Sequence, residues 1–435
     1  MYKLEFTLKQ HTPIIHFQHD QDGATLRATE VKPKLDRFLI EKMGGKEKVN
    51  KSWFNNFEKG SLDYKLMIFA EDKPTFYWIS SNPDSKDTSF KKGKDNDRIN
   101  NANKDGSVYL NKTQYFGDNQ YIDKNEKEWK NIRKGIKYDK VRLKITVLHD
   151  ELRKEIQNSL DQFFCLHNFG TRQSKGFGCF LPLIDDDSIA KYLIDDVNIK
   201  GVFQIKSNKT FDLKIQDISS KYSLLKMGKG AKTGNYEKSK LWLFLCKDKE
   251  ISWEKRKIKI HLLKNDKTLF TKMYTENSPM RLSPNSEISE EGPKAKDHFY
   301  IRALMGLAEQ FEFLQFNDDG KIDFKNRIQV KVKDTLNNSL DDRLKELAVD
   351  RFGSPLRFLV TQSSIFLVAY DIPSILYEYT NPVTNENVNR EFQFIIDNMA
   401  TENNFNLKVP QNFDLCAFIE FSKEFGNNLK KKNNG

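Results

Sequence analysis

The chain has 435 residues, 38% of them hydrophobic and 33 of them phenylalanine, which is enough apolar material for two cores and too much length for one. Its 72 Lys and Arg against 61 Asp and Glu give a formal charge of +11 and a pI near 9.1, a balance that favours a polyanionic partner. The sequence lacks an apolar run of about 18 residues, its start MYKLEFTLKQ alternates where a signal peptide would be uniformly apolar, and Cys165, Cys179, Cys246 and Cys416 are too dispersed for a metal knuckle. Composition therefore points to a cytoplasmic protein with no membrane association, no metal and no cofactor.

Residues 2–8, YKLEFTL, alternate apolar and polar and predict a half-buried strand. In EVKPKLDRFLIEK, residues 30–42, Val31, Leu35, Phe38 and Lys42 recur at helical spacing, and Pro33 falls in the first turn, where its missing N–H costs little. YKLMIFA (64–70) and TFYWIS (75–80) predict two strands joined by the turn EDKP. From 81 to 137 the sequence is polar and mostly without hydrophobic period, which predicts a long surface insertion, although VYL and QYFGDNQY are apolar enough to return to the body. A strand resumes at KVRLKITVLH (140–149), and Asp150 is placed to cap a helix with Leu152, Ile156, Leu160, Phe163 and Phe164 on one face. The glycine-rich HNFGTRQSKGFGCF (167–180) follows directly, and CFLPLI after it reads as a strand.

In the second half, LWLFLCK (241–247) and KIKIHLL (257–263) read as strands, and HFYIRALMGLAEQFEFL (298–314) as a largely buried helix. SPLRFLVTQSSIFLVAYDI (354–372) reads as a strand hairpin, and residues 388–399 and 413–425 as helices ahead of the basic tail LKKKNNG. Strands interrupted by two helices in each half predict the α+β class, with two domains in tandem at 1–200 and 201–435, each built on a split βαβ sheet.

Three places carry candidate chemistry. Gly170, Gly176 and Gly178 allow positive φ and an outward-facing nest of N–H groups, beside Arg172 and Lys175, whose charge attracts a phosphodiester. The bland alternative is a tight helix-to-strand connection with solvated charges. Lys34 and Arg37 share a helical face, with Arg27 and Lys32 beside its entrance; this is a backbone-contacting surface or simply a solvated one. In TPIIHFQHD, His16 and His19 are the only pair suited to acid–base cleavage of RNA, with Asp20 the single flanking acid; otherwise they are polar neighbours of a strand end. KMGKGAKTGNYEKSK (226–240) departs from the Walker pattern because Ala231 precedes Lys232, and it reads as a basic loop.

Taken together, HTPIIHFQHDQDGATLRATEVKPKLDRF, the glycine-rich stretch and RFGSPLRFLV resemble the RAMP superfamily of CRISPR proteins, and within it the first-numbered subunits of the type III-B Cmr RNA-targeting complex. The resemblance is carried by Thr12, Pro13, Leu26, Arg27, Lys32, Phe38, Gly170, Arg172, Gly176, Phe177, Gly178, Ser354, Pro355 and Leu356. The chain departs from the family where His16 and Phe17 replace a common Gly pair and Pro33 a Gly. The resemblance implies two ferredoxin-like (RRM-type) domains in tandem, the first with the polar insertion. It also implies a non-catalytic subunit that caps the complex near the 3′ end of the guide RNA and aids target RNA engagement, with guide RNA, target RNA and the other Cmr-type subunits as partners. Two alternatives stay open: a RAMP-type endoribonuclease that processes guide precursor through His16 and His19, and a protein-only assembly subunit.

Overall fold

The structure is a computed structural model that describes residues 1–16, 25–80, 108–110, 132–228, 237–246, 251–265, 297–307, 310–316, 322–396 and 404–430. Two compact units result, and both are discontinuous in sequence. The first contains Met1–Ser220, Arg357–Ala369 and Phe425–Gly435; the second contains Lys221–Leu356 and Tyr370–Glu424.

The chain begins β1 (Tyr2–Gln10), α1 (Ala28–Lys42), β2 (Tyr64–Ala70), β3 (Thr75–Ser80), β4 (Val108–Leu110), β5 (Ile132–Lys137), β6 (Lys140–Val147), α2 (Asp150–Leu166) and β7 (Phe180–Pro182). It continues through α3 (Asp186–Asp195), β8 (Ile199–Lys206), α4 (Phe211–Lys226), α5 (Lys240–Cys246), α6 (Glu254–Asn265), β9 (Gln310–Phe316) and β10 (Ile322–Asp334). It closes with β11 (Leu356–Val360), β12 (Ser364–Tyr370), β13 (Glu391–Ile396), β14 (Phe405–Lys408) and α7 (Leu415–Ser422).

In the first unit, one sheet has the order β2-β6-β1-β7, with every neighbour antiparallel. The alternation seen in KVRLKITV buries Val141, Leu143, Ile145 and Val147 on one face, where they meet Val31, Leu35 and Leu39 of α1 and Leu152, Ile156, Leu160 and Phe163 of α2. Pro33, expected in the first turn, is instead the sixth residue of α1, because the helix already begins at Ala28; its missing N–H therefore forgoes one bond of the helical ladder. A second sheet has the order β8-β12-β11. Its far edge is extended by an antiparallel bridge between Phe203 of β8 and Asn428, whose side chain also accepts from the Val202 N–H at 3.0 Å. Strand, helix, two strands, helix and returning strand thus occur twice in chain order: β1, α1, β2, β6, α2, β7, and then β8, α4, β11, β12, α7 and the Asn428 segment, although α7 falls in the second unit. Both sheets share one spatial order, with the first strand between the third and the last.

The second unit has a sheet in sequential antiparallel order, β9-β10-β13-β14. Phe311, Phe394 and Phe405 form a row on it, with near-parallel rings 6.2 Å and 5.3 Å apart. Arg390 and Asp334, both wholly buried, pair beside this sheet.

Several expectations need correction. LWLFLC lies in the helix α5, because burial falls on Leu241 and Leu245, four apart, and Ser239 Oγ accepts from the Trp242 N–H at its start. KIKIHLL lies in α6, since its buried residues are Ile258 and Leu262, also four apart; the Lys–Ile alternation was a coincidence of composition. Residues 298–314 are not one helix: a short 3-10 segment, Ile301–Met305, is buried all round and ends at Gly306, and QFEFLQF then pairs with β10 as β9. Residues 388–399 contain the strand β13, whose buried Phe392, Phe394 and Ile396 follow period two. Asp150 does not cap α2; His149 occupies that position, and the Asp150 carboxylate accepts from Arg153 Nε at 2.7 Å. The segment 81–137 includes β4 and β5, both paired with β3, and Ile136 of β5 is core. QYFGDNQY lies outside the described residues.

Candidate nucleic-acid interface

The glycine-rich connection from α2 to β7 is a closed, internally hydrogen-bonded loop. Phe169 N–H donates to Gly178 O at 2.9 Å, Gly178 N–H to Pro13 O at 2.9 Å, Thr171 N–H to Ile15 O at 2.7 Å and Lys175 N–H to Arg172 O at 2.9 Å. Gly178 has φ +64, and a Cβ there would lie 1.8 Å from Phe169 O. Gly170, at φ +77, would place one 2.6 Å from Ile15 O. These two glycines are required by close backbone approach. At Gly176, φ +86, the atoms nearest to an added Cβ would be side-chain methyls of Ile215, Ile218 and Val360. Arg172 also takes positive φ, +60, without being glycine.

The loop lies directly on β11. Lys175 bridges Phe358 in parallel fashion, Phe358 N–H donates to Ser174 O at 3.2 Å, and Asn168 Nδ2 donates to Phe358 O at 2.9 Å. Against the other side comes α1. Lys34 Nζ reaches Gln173 Oε1 at 3.1 Å, Asn168 O at 3.4 Å and Glu30 Oε1 at 3.4 Å, and it stands 4.8 Å from the centre of the Phe169 ring. Glu30 Oε1 also accepts from the Gly170 N–H at 2.7 Å. Burial depresses the Lys34 pKa, Glu30 opposes that, and the nearby Arg357 of β11 adds to the depression. Burial, with Arg357 next in effect, holds the His167 pKa down at about 4. The buried Cys179 thiol is pushed up to about 12 and is therefore inert at neutral pH.

The basic residues singled out in the sequence separate into different environments. Lys34, Gly170, Arg172, Lys175, Gly176 and Gly178 gather at this loop, although the Lys175 ammonium is buried. Arg27 stands at the N-terminal boundary of α1, and Arg37 is exposed farther along that helix. Lys32 turns away: its ammonium donates to Asp36 Oδ2 at 2.8 Å and Leu62 O at 2.9 Å and lies 4.1 Å over the Tyr64 ring. His16 is buried, 4% exposed, and His19 lies outside the described residues.

The sequence reading missed Glu30, Gln173 and Arg357. Gln173 falls inside the glycine-rich stretch and Arg357 directly follows Ser-Pro-Leu, so adjacency to those motifs was the available signal. Glu30 gave none, because an acidic residue in a first helical turn is ordinary. Among the described residues, no group of three or more His, Cys, Asp and Glu is placed to hold a metal ion, and no helix is long and apolar enough to cross a membrane.

Two family profiles cover nearly all of the chain. The Cmr1 N-terminal domain matches residues 1–229, and the Cmr1 C-terminal domain matches residues 236–435. No curated protein matches significantly.

Proposed function

The chain belongs to the Cmr1 family and is thereby a subunit of the Cmr complex of a type III-B CRISPR system; within that complex we propose that it is a non-catalytic RNA-binding subunit. In this reading it is a cytoplasmic RAMP-superfamily protein that caps one end of the complex near the 3′ end of the guide RNA and helps target RNA engage. The chain carries two ferredoxin-like folds in tandem. The recurrence of strand, helix, two strands, helix and strand, with the first strand between the third and the last, supports that assignment for both sheets.

One observation carries the RNA-binding reading. Lys34 of α1 is hydrogen-bonded to the loop that carries Arg172, and Arg357 of β11 lies near enough to lower the Lys34 pKa, so three separate parts of the chain bring cations to one place. Cations gathered at a rigid backbone turn suit a phosphodiester, which supplies the charge and the acceptors that the cluster can use. The non-catalytic reading is favoured by the burial of His16, since a general acid or base must reach the proton it transfers.

The test is binding of labelled single-stranded RNA across a salt series, with Lys34→Ala and Arg172→Ala compared with the unaltered protein. Each lost phosphate contact lowers the slope of log affinity against log salt by roughly 0.7. Slopes unchanged in both variants would return the loop to a purely structural connection. Single-turnover incubation with repeat RNA separates binding from cleavage. A product that forms with the unaltered protein and vanishes in a His16→Ala, His19→Ala double variant would establish the nuclease instead.

A further inference from the structure

We propose that the Glu30 carboxylate occupies a phosphate subsite of the RNA path and is displaced from it by an RNA phosphodiester, so that Glu30 sets the threshold for binding. The inference rests on the RNA-binding reading above and identifies one of its subsites. Glu30 Oε1 takes the Gly170 N–H at 2.7 Å and faces Lys34 Nζ at 3.4 Å, so one anionic oxygen is held by a backbone amide of a glycine turn and an ammonium. Those donors are the pair by which proteins hold a phosphate oxygen. The place is reachable from solvent, because the Lys34 and Glu30 side chains are 29% and 19% exposed.

Displacement is inexpensive on the protein's side. Lys34 keeps Gln173 Oε1 and the Asn168 carbonyl when Glu30 leaves, and the loop keeps its bonds to Pro13, Ile15 and Phe358. Glu30 lies in the first turn of α1, where a freed carboxylate is favoured by the helix dipole as well as by water. An incoming phosphodiester gains the Gly170 amide, the Lys34 ammonium and the field of Arg357, which already acts on Lys34.

Glu30→Gln tests this, with Glu41→Gln on the same helix as the control for general charge removal. The expected result is RNA binding roughly tenfold tighter at low salt and a salt slope steeper by roughly 0.7, both confined to the Glu30 variant. The gain should disappear when Lys34→Ala is added. Inorganic phosphate supplies a second readout that needs no RNA: it should raise the melting temperature of the Glu30→Gln protein more than that of the unaltered protein or the control. Equal or weaker RNA binding, an equal gain in the control, or failure of the Glu30→Gln chain to fold would overturn the inference, making Glu30 a fixed brace of the loop. If the unaltered protein binds no RNA, the proposed function fails by itself. The subsite then stands or falls on the phosphate shift.

Discussion

Replacing Gly178 by alanine should leave the first unit only marginally stable, whereas the same change at Gly176 should be mild. At Gly178 the new Cβ would lie 1.8 Å from Phe169 O, and that oxygen belongs to backbone held across the loop by the Phe169 N–H to Gly178 O bond. No rotamer change relieves a clash with backbone, so the two segments must separate by more than an ångström and lose their hydrogen bonds. Positive φ costs an L-residue about 1–2 kcal/mol, forced overpacking about 1–3 kcal/mol, and a lost buried bond about 1 kcal/mol more. Against a typical total of about 5–15 kcal/mol, such a loss leaves the unit marginal. At Gly176 the nearest atoms are methyls at 3.2–3.3 Å, which can shift by a few tenths of an ångström, so the φ cost of about 1–2 kcal/mol dominates. Urea denaturation gives the ranking, and amide hydrogen exchange across residues 1–220 assigns the loss to the first unit. Equal midpoints for the two variants would refute the claim that close backbone approach, and not charge presentation, fixes the glycine at 178.

Lys32→Met should lower stability by about 1–3 kcal/mol, because it removes the partner of the buried Asp36 carboxylate, and should leave the RNA salt slope unchanged; chemical denaturation and the binding series check the two halves. Arg390→Met should cost the second unit about 3–5 kcal/mol by leaving Asp334 buried and unpaired, seen as a lower urea midpoint for peptides of β10 and β13. The imidazoles of His11 and His167 are depressed from 6.5 to about 4, chiefly by burial, so between those values the unfolded chain binds protons that the native chain does not. Their contribution is present above about 6.5 and is lost as pH falls toward 4; urea midpoints at pH 7 and pH 5 measure it, and His167→Gln should flatten the dependence.

Periodicity by itself determined β1, α1, β2, β3, β6 and α2, because one face of each is buried and that face leaves a period of 2 or about 3.6 in the sequence, whereas the β11–β12 hairpin was legible only as two apolar runs, β12 being buried on both faces. It failed at α5, α6, β9 and β13, where short apolar runs fit both periods and the burial of Leu241 with Leu245, or of Phe392 with Phe394, makes the choice. The helices α3 and α4 and the strands β5, β8, β10 and β14 were not read from the sequence at all. The glycine-rich stretch could be recognised from residue types as a place where backbone turns tightly beside positive charge. Which of its groups remain available could not, because its amides are satisfied by Pro13, Ile15 and Glu30 and its Ser174 carbonyl by the Phe358 N–H, residues distant in the chain. A charge in sequence is equally ambiguous: Lys32 and Lys34 lie two positions apart on one helix, yet the former is committed to Asp36 and Tyr64 and the latter to the loop. Residue identity fixes what a side chain can donate, accept or bury; only the arrangement of distant segments decides which partner it meets and what is left for a ligand.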